Sequence, residues 1–247
     1  MNNQKGRQAM KILALDSSSL TASVAVVEED ITIAEYTVNY KKTHSQTLLP
    51  MLDEIVKMTE QDLQKMDAIA IAAGPGSFTG LRIGSATVKG LAQALQKPIV
   101  SVPTVDGLAG NLYGTDKVVC PLMDARRNQT YTGLYEFVKK EETYEMNCIK
   151  PQCAVDLSEI LTAVNELGRE VVFLGDGVPV FKETIKETLT VPYSFAPNTC
   201  NRQRAAVIGW LGMQLFKQGI FETAVSHAPE YLRLSQAERE RNSKIKN

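Results

Sequence analysis

The same succession of elements occurs twice in this chain, and each occurrence opens with an apolar strand that stops at an aspartate. In the first, residues 11–15 run into Asp16-Ser17-Ser18-Ser19, a cluster of turn-forming residues. β-Branched segments at 21–27 and 31–38 follow, parted by the acidic turn Glu28-Glu29-Asp30. Apolar spacing becomes helical over 43–61 and returns to a buried strand over 67–73. A second helix then ends near Gln96, and a short strand at 99–102 closes the unit. In the second occurrence, a strand at 118–123 stops at Asp124 and is followed by strands at 130–137 and 144–149. A helix at 156–167, with Ser158 as an alternative cap, leads to a strand at 171–174 that reaches Gly175-Asp176-Gly177. Helices at 178–189 and 201–217 complete the pattern, the last closed by Gly219.

Three strands, helix, strand, helix, twice over, is a duplication of pattern rather than of identity. It predicts an α/β protein with two lobes facing each other across a cleft, the actin-like ATPase (ASKHA, ribonuclease-H-like) or sugar-kinase architecture. Two unrelated α/β segments sharing one element order are the alternative. The expected division is a disordered extension at 1–9, a first lobe at 10–103, a second lobe at 104–225 and a C-terminal tail at 226–247, polar and fraying from Arg233 on.

The 44% hydrophobic content suits a globular chain, and the formal charge of -1 supplies no broad positive field for nucleic acid. Contacts to RNA phosphates are therefore expected from another subunit. The four cysteines form no Cys-x-x-Cys pair, and two histidines cannot complete a tetrahedral metal site with them. They read as reduced, buried thiols of a cytoplasmic protein. No apolar run is long enough to span a membrane, and the first ten residues lack the apolar core of a secretion signal.

Three segments are candidates for chemistry. A phosphate-holding turn needs small residues, so that backbone N–H groups can approach the anion, and a carboxylate to manage Mg²⁺. Asp16-Ser17-Ser18-Ser19 meets this need without a glycine, or is an ordinary hairpin turn. Its counterpart, Asp124-Ala125-Arg126-Arg127-Asn128, carries two arginines that crowd the backbone away from a phosphate, which argues against independent ATPase activity. Gly74-Pro75-Gly76-Ser77-Phe78-Thr79-Gly80 leaves a buried strand and opens a helix, where Ser77 or Thr79 can cap. It is either an anion site at a helix start or a turn whose glycines let helix and sheet pack closely. His44-Ser45 marks the start of the earlier helix, with Ser45 as cap and Pro50 tolerable only in the first turn.

The two first-lobe helices carry the strongest hint of a partner. Leu48, Leu49, Met51, Leu52, Ile55, Val56 and Met58 spread over about 180° of a helical wheel, whereas a surface helix needs a stripe of about 100°. The second helix is lined with Gly80, Gly84, Ala86, Gly90, Ala92 and Ala94, and each glycine costs about 1 kcal/mol against alanine. Burial on a second, outer face would offset that cost, unless both faces are filled within the chain.

The strings Leu13-Ala14-Leu15-Asp16-Ser17-Ser18, Thr43-His44-Ser45, Met123-Asp124-Ala125-Arg126-Arg127 and Ala228-Pro229-Glu230-Tyr231-Leu232-Arg233 resemble the TsaB (YeaZ) family. So does the run from Ala72 through Gly74-Pro75-Gly76-Ser77-Phe78-Thr79-Gly80-Leu81-Arg82 to Gly84. The resemblance implies the two actin-like lobes and a role in making N6-threonylcarbamoyladenosine at position 37 of tRNAs that read codons beginning with A. It implies a non-catalytic scaffold that pairs with a catalytic paralogue, TsaD, is joined by a small ATPase, TsaE, meets tRNA through the complex, and forms a homodimer when alone. The pairing surface is expected to hold His44, Leu48, Met51, Leu52, Ile55 and Met58 of the first helix and Arg82, Ile83, Ala86 and Lys89 of the second. Asp16, Ser17, Gly74, Gly76 and Ser77 are expected to shape the cleft without catalysing. No cofactor or metal of its own is expected, and nucleotide belongs at the partner interface. Where the catalytic paralogue has two metal-binding histidines, this chain has Thr104 and Leu108, and leucine cannot ligate a metal. The rival readings are a phosphotransferase using the cleft and a peptidase.

Overall fold

The computed structural model describes residues 9–233, so the extension at 1–8 and the tail beyond Arg233 lie outside the described residues. The first lobe begins with β1 (Lys11–Asp16), β2 (Thr21–Glu28) and β3 (Ile31–Asn39), followed by α1 (His44–Thr59), β4 (Ala68–Gly74), α2 (Phe78–Leu95) and β5 (Ile99–Pro103). A short helix, α3 (Thr104–Gly110), leads to β6 (Val118–Asp124), β7 (Gln129–Lys140), β8 (Thr143–Asp156), α4 (Leu157–Leu167), β9 (Val171–Leu174), α5 (Val178–Thr188) and β10 (Tyr193–Phe195). The last described helix is α6 (Ala205–Lys217).

The two sheets have the same topology. Their strand orders are β3-β2-β1-β4-β5 and β8-β7-β6-β9-β10, each with two antiparallel hairpin contacts and two parallel ones. The duplication expected from the element order is thus present in three dimensions, as the actin-like architecture requires. β4 pairs in parallel on both sides and is buried along its whole length, which explains its unbroken apolar sequence.

Strand alternation sends successive side chains to opposite faces of the first sheet. Leu13, Leu15, Ile69 and Ile71 meet α1 and α2, while Ile12, Ala14, Ala68, Ala70 and Ala72 meet α6. α6 falls within 104–225 by position yet completes the first lobe's core, so the linear division does not describe the packing. α3 packs the other way: Val105, Leu108 and Ala109 join Val119, Met123 and Tyr135 of the second lobe.

Several boundaries depart from the sequence reading for local reasons. α3 is absent from it because two glycines weaken its helical propensity, and burial of most of its residues holds it in place. β8 continues past Pro151 to Asp156, which is allowed because β8 lies at the sheet edge and pairs only with β7. α1 is preceded by Thr43 at the cap position, so Ser45 is not the cap, and Pro50 sits in the exposed interior of the helix rather than its first turn. At α2 the cap is Ser77, whose hydroxyl accepts from Gly80 N–H at 3.3 Å.

Candidate functional site

A cleft of about 510 Å³ separates the ends of the two sheets, walled by Ser18, Ser19, Gly76 and Ser77 on one side and by Asp124, Arg126 and Asp176 on the other. The two aspartates that end the first strands make matching turns. Asp16 Oδ1 accepts from Ser18 N–H at 2.9 Å and from Ser18 Oγ–H at 2.7 Å, and Asp124 Oδ1 accepts from Arg126 N–H at 2.8 Å. In the second lobe the turn then passes through Arg126, Arg127 and Asn128 at φ of 66°, 57° and 59°. Three successive residues with side chains in the left-handed region store backbone strain. Arg126 folds back to Asp124 at 3.1 Å while its side chain stays exposed to the cleft.

The expected cleft residues Asp16, Ser17, Gly74, Gly76 and Ser77 do come together, but chiefly with one another. Ser17 Oγ–H donates to the carbonyl of Gly80 at 2.9 Å, and Ser77 N–H donates to that of Ser18 at 2.6 Å. A Cβ on Gly76 would stand 2.2 Å from the Ser18 carbonyl oxygen, and one on Gly84 would stand 2.2 Å from Ser17 Oγ. Gly74, at φ +128°, is pressed by the backbone of Glu230 and donates its N–H to Thr104 Oγ1 at 3.1 Å. Close packing therefore accounts for these glycines, as in the second of the two sequence readings of this loop.

Asp16 is wholly buried, and burial raises its carboxyl from 3.8 to about 6. Asp176, across the cleft, is also raised, first by burial, and its Oδ1 has no hydrogen-bond partner among the described residues. Between about pH 3.8 and 6 the folded chain keeps the Asp16 proton while the unfolded chain gives it up, so stability falls as pH rises through that window. Above it the ionised form costs about 3 kcal/mol. Asp16→Asn keeps an acceptor for Ser18 and removes the charge. Denaturant melts should show it more stable than the parent by about 2–3 kcal/mol at pH 7.5 and nearly equal to it at pH 4. An equal gain at both pH values would mean that charge burial is not the cause.

On the helical face the structure corrects much of the expected surface. Leu48, Met51, Leu52 and Ile55 are 1–4% exposed and close the core over Leu13, Leu15, Val24 and Ile69. His44 is buried, with Nε2 2.7 Å from the carbonyl oxygen of Ser19. Arg82 lies 4.0 Å over the Phe78 ring, and Lys89 Nζ donates to the His227 carbonyl at 2.9 Å. Of the expected set, Met58 (75% exposed) and Ala86 point outward, as does the exposed side of Arg82, and Ile83 is half-buried. Leu49, Pro50, Gly90 and Ala94 are exposed as well, and Ala86, Gly90 and Ala94, spaced four residues apart, form one outward stripe of small residues on α2. The wide apolar arc on α1 is thus an inward stripe plus two outward residues, not one continuous partner face.

Sequence reasoning missed three groupings. Asp176 stands in the second lobe where the Gly74 loop stands in the first, and the matching glycine turn at Gly175 was its signal. Glu230, Tyr231, Leu232 and Arg233 line the cleft, although the sequence suggested a fraying tail from Arg233 on. Ser101 and His227 meet Glu222: Ser101 Oγ–H donates to Glu222 Oε1, and His227 Nδ1 is 3.1 Å from Ser101 Oγ and 2.9 Å from Glu222 Oε1. Both contacts use one imidazole nitrogen, so this half-buried trio cannot relay a proton from serine through histidine to acid as a hydrolase does.

Thr104 holds the Gly74 N–H, and Leu108 is buried in the second lobe's core. No three His, Cys, Asp or Glu side chains among the described residues are arranged to hold a metal ion. No helix among them is long and apolar enough to cross a membrane.

Comparison with known proteins gives concordant matches. The family model for TsaD, tRNA N6-adenosine threonylcarbamoyltransferase, matches residues 32–241. The tRNA threonylcarbamoyladenosine biosynthesis protein TsaB of Bacillus subtilis (strain 168) is 35% identical over 231 residues, 93% of this chain and 96% of that protein. The protein of the same name from Haemophilus influenzae is 28% identical over 83% of this chain and 88% of its own length. The solved structure of YeaZ from Pseudomonas aeruginosa superposes with a TM-score of 0.71 at 26% identity, covering 90% of this chain and all of that one.

Proposed function

The chain belongs to the TsaB (YeaZ) family, and from that premise we propose that it is a non-catalytic scaffold for the threonylcarbamoylation of adenosine 37 in tRNAs reading codons that begin with A. The name carried by its relatives supports a role in tRNA threonylcarbamoyladenosine biosynthesis. In this reading the chain works in the cytoplasm, pairs with the catalytic paralogue TsaD, admits the ATPase TsaE, and meets tRNA through the assembly. Alone, it pairs with a second copy through the same surface. It holds no cofactor of its own, and nucleotide sits at the interface with the partner.

The observation that carries the reading is the outward stripe of α2, where Ala86, Gly90 and Ala94 offer small groups to solvent, with Leu49 and Met58 of α1 exposed as well. Small residues let another helix pair approach closely, and an exposed apolar patch on a folded lobe gains from being covered. Two features support a non-catalytic role. The second-lobe turn is filled by arginines where a phosphate needs open backbone, and Thr104 and Leu108 are committed to packing.

Reconstitution tests the whole proposal. TsaD, TsaE, ATP, the threonylcarbamoyl donor and unmodified tRNA should give modified nucleoside only when this chain is added, read by mass spectrometry of digested tRNA. Full modification without the chain, or modification by the chain alone, would refute the scaffold role.

A further inference from the structure

The segment at 218–233 runs along the first lobe and finishes inside the cleft. Glu222 and Ile99 exchange both backbone hydrogen bonds at 2.8 Å, which lays the segment against the β5 edge. His227, 2% exposed, is pinned by Ser101 and Glu222, and its carbonyl accepts from Lys89 Nζ. Glu230 N–H then donates to the carbonyl of Ala73 at 2.7 Å. The carbonyl oxygen of Glu230 fills the place of a Gly74 side chain, 2.1 Å from where Cβ would be. The Tyr231 ring sits 4.6 Å from that of Phe78, and its hydroxyl accepts from Arg82 Nε–H at 3.3 Å.

All those anchors are on the first lobe. Two links from the same segment reach the second: Arg233 Nη1–H donates to the carbonyl of Ala125, and Gln152 Nε2–H donates to Glu230 Oε2 at 2.9 Å. The first is charge-assisted and made to a carbonyl at the start of the strained 126–128 turn. The lobes also meet through α3, which packs on β4, β5 and α6 of the first lobe and on β6 and β7 of the second. A second tie across the mouth of the cleft removes the freedom that a single hinge would leave.

We infer that residues 227–233 form an interlobe strap that holds the cleft at one opening. Its backbone is fixed on Gly74, and its Arg233 guanidinium grips the second-lobe turn. Gly74 is then a strap seat, since any side chain there would lift Glu230 off Ala73 and carry Tyr231 and Arg233 with it. A ligand entering the cleft would have to share its wall with Tyr231, Leu232 and Arg233 or displace them. This role does not depend on the tRNA reading.

Hydrogen exchange on the full-length chain tests the strap, comparing the parent with Arg233→Ala and with a Tyr231→Ala/Arg233→Ala double variant. Ser18 and Ser77 line the cleft on one lobe, and Gly177 follows the lining residue Asp176 on the other; the partners of their amides are Asp16, Ser18 and Leu122, none of them in the strap. Releasing the strap should speed their exchange by about tenfold or more, the equivalent of one charge-assisted hydrogen bond. Amides within β1 and β4 should keep their protection, which separates lobe opening from global unfolding. The single variant leaves every first-lobe anchor in place, so it remains informative if the double variant is too unstable. Faster exchange confined to 226–233 and Ala125, with Ser18, Ser77 and Gly177 unchanged in the single variant, would overturn the inference.

Discussion

Gly80→Ala is expected to lower the melting temperature by about 6–12 °C, although the same exchange in an open helix raises stability by about 1 kcal/mol. The reversal comes from what the new methyl group meets. At Gly80 a Cβ would lie 2.1 Å from the carbonyl oxygen of Ser17 and 3.2 Å from His44 Cδ2. Ser17 cannot retreat freely, because its own Oγ–H donates to the Gly80 carbonyl and its turn is set by Asp16. Overpacking of side chains costs about 1–3 kcal/mol and occasionally more, and a strike on backbone that cannot retreat is expected to cost about 4 kcal/mol. The clash therefore outweighs the gain in helix propensity, leaving a net loss of about 3 kcal/mol. Gly90→Ala in the same helix is the matched control, since nothing lies within 4 Å of its Cβ position. It should raise the melting temperature by about 2–4 °C. Calorimetry of the two variants decides the matter, and shifts of the same sign would defeat the packing account.

Ala86→Glu is expected to weaken pairing with TsaD by at least about 100-fold while leaving the isolated fold intact. Ala86 is exposed on α2, so glutamate there is solvated in the free chain and costs little. Once the proposed outer face is covered, the same carboxylate loses water without gaining a partner. An unpaired charge in such a place costs about 3–5 kcal/mol, which is more than two decades of affinity. Ile55→Glu provides the contrast. It sits near the C-terminal end of α1 and packs in the core with Leu13 and Ile69, so it should unfold the first lobe rather than block pairing. Size-exclusion chromatography with the purified partner, alongside melts of each variant alone, reads both effects. Co-elution of folded Ala86→Glu with TsaD at parental strength would remove this face from the proposed interface.

Much of the architecture was legible because it rests on local patterns. The strand ending at Asp16, its repeat ending at Asp124, and the apolar run into Gly74 are written in residues adjacent along the chain. Alternation and turn chemistry act over a few residues, so they survive without knowledge of neighbours in space. Gly76 and Ser77, which wall the cleft, lie in such a local pattern, whereas the expected Asp16, Ser17 and Gly74 are buried and do not line it. What these residues touch was not legible: Ser17 and Gly80 are 63 residues apart, and neither shows in sequence that the other is its partner.

The surface helices mark the limit most clearly. Leu48, Met51, Leu52 and Ile55 read like Leu49 and Met58 on a wheel, yet four are core and two are exposed. Periodicity measures how wide an apolar arc is, and only the position of the sheet beneath decides which part of it is inside. α6 gives the same lesson, since its apolar residues announce burial without saying that the first lobe, not the second, receives them. The segment from His227 to Arg233 is polar and close to the end of the chain, which in sequence reads as a tail. Its hold on Ala73, Gly74 and Ala125 exists only once those turns are assembled.

By itself, then, the sequence determined two α/β units with aspartates at matching strand ends and a glycine-rich entry to α2, because these follow from short-range backbone and periodicity rules. The tertiary structure decided which apolar faces are spent inside, why Gly74, Gly76, Gly80 and Gly84 are needed, and that the chain's last described residues tie the lobes together. Those are contacts between residues far apart along the chain, and their energy is set by distances that no local pattern encodes.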